Sequence, residues 1–219
     1  MQQASEIDRD RARNLGIAPG IFPPGPLNAI TDVQGIMVGH TTVIQGEDIR
    51  TGATAILPHA DNIFQNKVPA GIAVGNGYGK LMGSTQIREL GEIETPIVLT
   101  DAPLSDRNLT RLAQRALFGL ARTGSSFSNG SGDCAIAFSV AKGVRRTPER
   151  RRRMDRIADL PNAAVSPLFQ AAIEATEEAI VNSLFMATTI VGYRGFVGEA
   201  IPLDRVMDLL GASAGKTNE

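Results

Sequence analysis

Residues 128–139 read Ser128-Asn-Gly-Ser-Gly-Asp-Cys-Ala-Ile-Ala-Phe-Ser139, a turn-forming run that passes directly into an apolar one. The small residues let a backbone turn tightly and approach another group closely. The apolar run after them predicts a strand over Asp133–Val140, buried on both faces. The hydroxyl of Ser131 and the carboxyl of Asp133 stand at the mouth of that strand, which makes it the candidate place for chemistry. The plainer alternative is a strand-entry turn in which Asp133 caps local N–H groups.

Working outward, Ser105 is a suitable N-cap for a helix in which Leu109, Leu112, Ala113, Ala116, Leu117 and Leu120 recur at helical spacing, with Gly124 near its end. A second long helix is predicted from about Ser166 to Ala187, with Pro167 in its first turn, and a short terminal helix over Pro202–Leu210. Upstream, the residue types predict strands at Gly35–Ile44, Ala53–Leu57, Ala70–Gly75 and Pro96–Thr100, and a helix from about Leu81 to Leu90. Residues 1–28 read as an irregular lead-in and the tail after Leu210 as frayed. The sum is one α/β (α+β) domain covering 1–219.

Composition narrows the function classes. A net charge of −1 over 219 residues provides no field for nucleic acid or an anionic membrane, and no apolar run reaches spanning length. The single cysteine, Cys134, excludes an intrachain disulfide, and the N-terminus lacks a leader's apolar core, so a cytoplasmic location is expected. His40 and His59, the only histidines, show no metal-ligand spacing with Cys134 or a carboxylate, so no metal is expected. Gly75–Lys80 and Gly211–Thr217 both fail phosphate-loop spacing and read as tight turns at positive φ. The seven arginines of 145–156 read as a solvated loop, with an oligomer contact as the alternative.

Several segments, in order, resemble one family, the DmpA-type aminopeptidases (L-aminopeptidase/D-esterase and β-peptidyl aminopeptidases). They include Arg11-Ala-Arg-Asn-Leu-Gly16, Gly25-Pro-Leu-Asn-Ala-Ile-Thr-Asp-Val-Gln-Gly35, Val38-Gly-His-Thr41 and Gly75-Asn-Gly-Tyr-Gly79. Glu89-Leu-Gly-Glu-Ile-Glu-Thr-Pro-Ile97, Thr100-Asp-Ala-Pro-Leu104, Gly130-Ser-Gly-Asp133 and Glu177-Glu-Ala-Ile-Val-Asn-Ser-Leu184 continue the series. The resemblance implies a layered αββα fold and a precursor that cuts itself before a serine. The freed N-terminal serine is nucleophile and its amine the base, so neither cofactor nor metal is needed. It implies an enzyme that removes N-terminal residues from peptides, amides or esters, with Ser131 orienting or relaying protons to the nucleophile; a homo-oligomer is expected. Asp133 stands where the family carries an acid that fixes Ser131 and the substrate amine.

The chain departs from that pattern between Thr95 and Asp101. There the N-terminal and C-terminal family segments meet near 95–101, and the central block with the cleavage site, nucleophile, tyrosine and asparagine is missing. Gly91–Asp101 holds no Gly-Ser or Asn-Ser pair, and Thr95, between Glu94 and Pro96, is the hydroxyl residue nearest the right distance. Gly83-Ser84 and Gly124-Ser125 fall inside matched landmarks. The sequence therefore predicts an internally deleted member with no identified nucleophile. The readings of such a chain are a self-processing aminopeptidase, an inactive remnant that binds or oligomerises and, further off, an acetyltransferase of the related ornithine-acetylating fold.

Overall fold

The computed structural model describes residues 8–77, 87–89, 92–93, 99–100 and 102–214. They divide into two compact units, 20–42 with 52–177, and 1–19 with 43–51 and 178–219.

The larger unit is built on a sheet whose two long strands are β3 (Val68–Gly77) and β6 (Gly132–Ser139). Short strands β4 (Glu92–Ile93) and β5 (Leu99–Thr100) flank them in the order β4-β3-β6-β5. β3 runs antiparallel to both β4 and β6, whereas β5 lies parallel to β6. Side chains alternate across the sheet, so each face has its own core. Ile72, Ile136, Phe138 and Val140 meet Ile36 on one face, with Val38 of β1 (Met37–Gln45) and Ile56 of β2 (Ile49–Leu57) packed against them. Ala73, Ala135 and Ala137 face helix α1 (Asp106–Arg122) through Leu109, Leu112 and Ala113. Small side chains on that face allow a close approach: a Cβ on Gly71 would lie 2.1 Å from the backbone nitrogen of Thr110.

Ser105 caps α1 as its residue type predicts, accepting from the Asn108 N–H. Asp159 completes the cap by accepting from the Ser105 N–H and Oγ at 2.9 and 2.7 Å. Burial pushes the Asp159 carboxyl up, but hydrogen bonds from Asn108 and Ser105 outweigh it and hold the pKa below its ordinary value. After a one-turn helix α2 (Pro148–Arg151), helix α3 (Asn162–Met186) begins a turn earlier than the sequence predicts. Pro167 consequently lies inside α3 rather than in its first turn. The missing N–H costs the helix one bond at that point, and burial of Val165 with Leu168 and Phe169 against the α1 cluster holds the segment helical.

Three other expectations are corrected. Gly75–Gly77 are the end of β3 and not a tight turn, since Asn76 and Gly77 pair with Asp133 and Gly132 of β6. β6 is buried on both faces only from Ile136 to Ser139; its first half is open. The arginine run is not simply solvated: Arg145 donates to Val140 O at 3.3 Å, Arg150 to Gly143 O at 2.6 Å and Arg151 to Gln65 O at 2.8 Å. These guanidinium groups satisfy carbonyls that the irregular chain leaves unpaired.

In the smaller unit, Ala12, Phe185 and Leu203 form a core beneath the lead-in. The lead-in is tied to the C-terminal part of α3 by Arg13–Glu178 at 2.8 Å and by Ala12 N–H to Asn182 Oδ1 at 2.8 Å. A small hairpin, β7 (Ile190–Val191) with β8 (Val197–Gly198), precedes α4 (Leu203–Ala214), which runs past the predicted end at Leu210. None of the described helices is long and apolar enough to cross a membrane. The rest of the predicted Leu81–Leu90 helix, beyond helical residues 87–89, lies outside the described residues, as do 215–219.

Gly71→Ala is expected to destabilise the protein by ~3 kcal/mol in urea unfolding, because the opposing group is backbone and cannot step aside. Gly143→Ala, where no atom lies within 4 Å of the added carbon, is expected to change stability by less than about 0.5 kcal/mol.

Candidate active site

The open end of the β3–β6 pair carries the residues singled out in the sequence. Cα pairing is regular from Ala70↔Phe138 to Val74↔Cys134, then slips by one residue to Asn76↔Asp133. Gly75 is the extra residue of a β-bulge, which re-aims the side chain that follows. In an uninterrupted strand, residue 76 would share the face of Val74; the bulge turns Asn76 to the face of Ala73, Ala135 and Asp133 instead. Glycine is required at the bulge because a Cβ there would lie 2.8 Å from the Phe127 ring.

Phe127 itself takes a left-handed φ of 51°, which turns the chain from the end of α1 toward β6. The next residues form a β-turn closed by Ser131 N–H to Ser128 O at 3.1 Å, with Gly130 at φ 98°. That combination is the type II signature, in which only the third residue needs positive φ.

Three side chains then join. Asn76 Nδ2 donates to Ser128 O at 2.9 Å and to Ser131 Oγ at 3.2 Å. The Ser131 hydroxyl, accepting from Asn76, directs its own proton to Asp133 Oδ2 in a short hydrogen bond. A hydroxyl has one donor and two acceptor positions, so this arrangement leaves Ser131 one lone pair to offer outward. Both Ser131 and Asp133 are half-buried. The group can therefore present an oriented hydroxyl and a carboxylate together, a suitable receptor for an amine and a short proton relay.

The structure thus brings Ser131 and Asp133 into contact and adds Asn76, which sequence reasoning missed by taking Gly75–Gly79 for a turn. The usable signal was an asparagine between two glycines at a strand end, since glycine inside a strand often marks a bulge. Neither histidine bonds to the pair: His40 Nδ1 meets Thr54 Oγ1 at 3.0 Å and the buried His59 bonds Asn66 O through Nε2 at 2.8 Å. Cys134 is exposed and pairs with Val74, on the opposite side of the ladder from Asp133. Ser125 Oγ accepts from Phe127 N–H at 3.5 Å and serves the local turn. Thr95 and Ser84 lie outside the described residues. Among the described residues no cluster of three His, Cys, Asp or Glu side chains could hold a metal.

Asn76→Ala removes both amide hydrogen bonds at once. It is expected to lower stability by about 1–2 kcal/mol in urea unfolding and to shift the amide resonances of Ser128–Asp133 selectively.

The peptidase family S58 model matches residues 28–101 and 97–197. The β-peptidyl aminopeptidase BapA of Sphingosinicella microcystinivorans is 39% identical over 106 residues, which are 48% of this chain but only 26% of that protein. The crystal structure of the PH0078 protein from Pyrococcus horikoshii OT3 superposes with a TM-score of 0.88 at 28% identity, covering 94% of this chain and 99% of that one. The L-aminopeptidase D-Ala-esterase/amidase of Ochrobactrum anthropi, described as a variant among the Ntn hydrolase fold, gives 0.81 at 21% identity, covering 93% and 99%. The likeness in fold agrees with the α/β architecture and the layered sheet described above. With a family model matched over more than half its length, the chain belongs to peptidase family S58.

Proposed function

We propose that the Ser131–Asp133–Asn76 group is the helper half of an aminopeptidase centre of the N-terminal-nucleophile type. In this reading the site takes small peptides, amides or esters by the free N-terminus. Asp133 receives the substrate ammonium, and Ser131 passes a proton between it and an attacking serine hydroxyl. The attack would form an acyl-enzyme and release the amine; water would then free the acyl group. The observation that carries the reading is the hydrogen-bonded Ser131–Asp133 pair, held by Asn76 in a chain of this family. The curated relative supplies the substrate class by its name, and this chain aligns with about a quarter of that protein's length. A single domain in a cytoplasmic homo-oligomer that processes itself remains part of the proposal.

A second reading, an internally deleted remnant that binds without turnover, is favoured by one specific observation. β4 and β5 stand at opposite edges of the four-stranded sheet, yet only five residues separate them in sequence. Consecutive elements usually lie side by side, and a jump across two strands normally needs a longer crossover. The two family matches also meet at 97–101, beside the join expected near 95–101. Loss of a nucleophile and its oxyanion donors together removes nearly all rate enhancement.

Intact-mass analysis and aminoacyl-p-nitroanilide hydrolysis separate the two. Two chains split near residues 93–95, with product release abolished in Ser131→Ala, are expected for an active enzyme. One uncut chain that releases no product is expected for the remnant.

A further inference from the structure

The chain contains two Asn-Gly dipeptides, Asn76–Gly77 and Asn129–Gly130, and the fold places them in opposite circumstances. The Asn76 amide nitrogen is engaged twice, at 2.9 and 3.2 Å, and its backbone and that of Gly77 lie in the β3–β6 ladder. Asn129 and Gly130 occupy the two central positions of the Ser128–Ser131 turn, and both are exposed. Among the described residues the Gly130 N–H makes no hydrogen bond and the Asn129 side chain none. Gly130 also lacks the Cβ that shields the amide nitrogen in other residues.

We propose that Asn129 is a site of spontaneous succinimide formation, at which the protein converts its own side-chain amide into a carboxylate inside the turn that carries Ser131. The Gly130 backbone nitrogen gives up its proton to water and attacks Cγ of Asn129. A new N–Cγ bond closes a five-membered imide, the Cγ–Nδ2 bond breaks, and Nδ2 leaves as ammonia. Water then opens the imide at either carbonyl, leaving an aspartyl or an isoaspartyl residue at position 129. The net change is one amide plus one water to one carboxylate plus ammonium, with no oxidant or cofactor.

Either product adds a negative charge two residues before Ser131. The isoaspartyl product also inserts a methylene into the main chain between Ser128 and Gly130. The Ser131 N–H then no longer meets Ser128 O in the same turn, and Ser131 loses its fixed aim at Asp133. The modification is thus a slow, irreversible change in the very group that holds the site. It stands on the turn alone and does not depend on the aminopeptidase reading.

The test is incubation of the intact folded protein at pH 8.5 and 37 °C with tryptic mapping over time. Asn129 and Asn76 fall in separate peptides, 123–142 and 68–80. The 123–142 peptide is expected to gain about 1 Da and to split into aspartyl and isoaspartyl forms. The 68–80 peptide is expected to convert roughly tenfold more slowly or less, since Asn76 must first release two hydrogen bonds. Asn129→Gln is expected to leave the 123–142 peptide unchanged in mass over the same period. Conversion of Asn76 as fast as Asn129 would overturn the proposal. So would an unchanged Asn129 in the folded protein that converts readily once the chain is unfolded in urea.

Discussion

The candidate site depends on one extra residue in a strand. Between Val74 and Asn76 the ladder with β6 slips by one, and Gly75 occupies the slip with the Phe127 ring where a side chain would be. A period of two along a strand means that a shift of one residue moves every later side chain to the other face. Without the slip, Asn76 would point to the side of Val74 and Cys134, and the Ser128 carbonyl and Ser131 hydroxyl would lose the amide that joins them. The left-handed φ of Phe127 belongs to the same arrangement, because it delivers the ring to the bulge and the turn to the strand mouth. Strained backbone of this kind persists where the surrounding structure over-determines it.

Below the mouth, the sheet is conventionally stabilised, and this is what lets the open end carry polar groups. Phe138 and Ser139 are fully buried, as are Leu104 and Leu109 across the alanine-lined face. The close approach of α1 to Gly71 fixes the sheet against the helix. Polar groups half out of water are then held by one another: Asn76 donates, Ser131 relays and Asp133 accepts. Such a chain fixes the direction of each proton as well as the position of each atom.

Most of this was legible in the sequence. Periodicity locates β1, β3, β6 and α1, Ser105 is the N-cap that its residue type predicts, and the Gly/Ser turn brings Ser131 to Asp133 at the strand mouth. The family landmarks reached further, to the layered α/β fold and to peptidase family S58. What was not legible rests on long-range geometry. The bulge depends on Phe127, 52 residues beyond Gly75, and glycines that also suit a turn carry no local mark of it. Local rules favour Pro167 in a first turn, whereas tertiary burial of Val165 extends the helix ahead of it. The arginine run carries no local mark of which carbonyls it will meet.

The most direct measurement is the set of NOEs from the Asn76 side-chain amide protons in isotopically labelled protein. Cross-peaks to the Ser128 α proton and the Ser131 β protons are predicted, since those atoms share the amide's face only if the bulge is present. Cross-peaks to the side chains of Val74 and Cys134 instead would show an unbroken ladder. They would contradict the account, because Ser131 and Asp133 would then lack the group that aligns them.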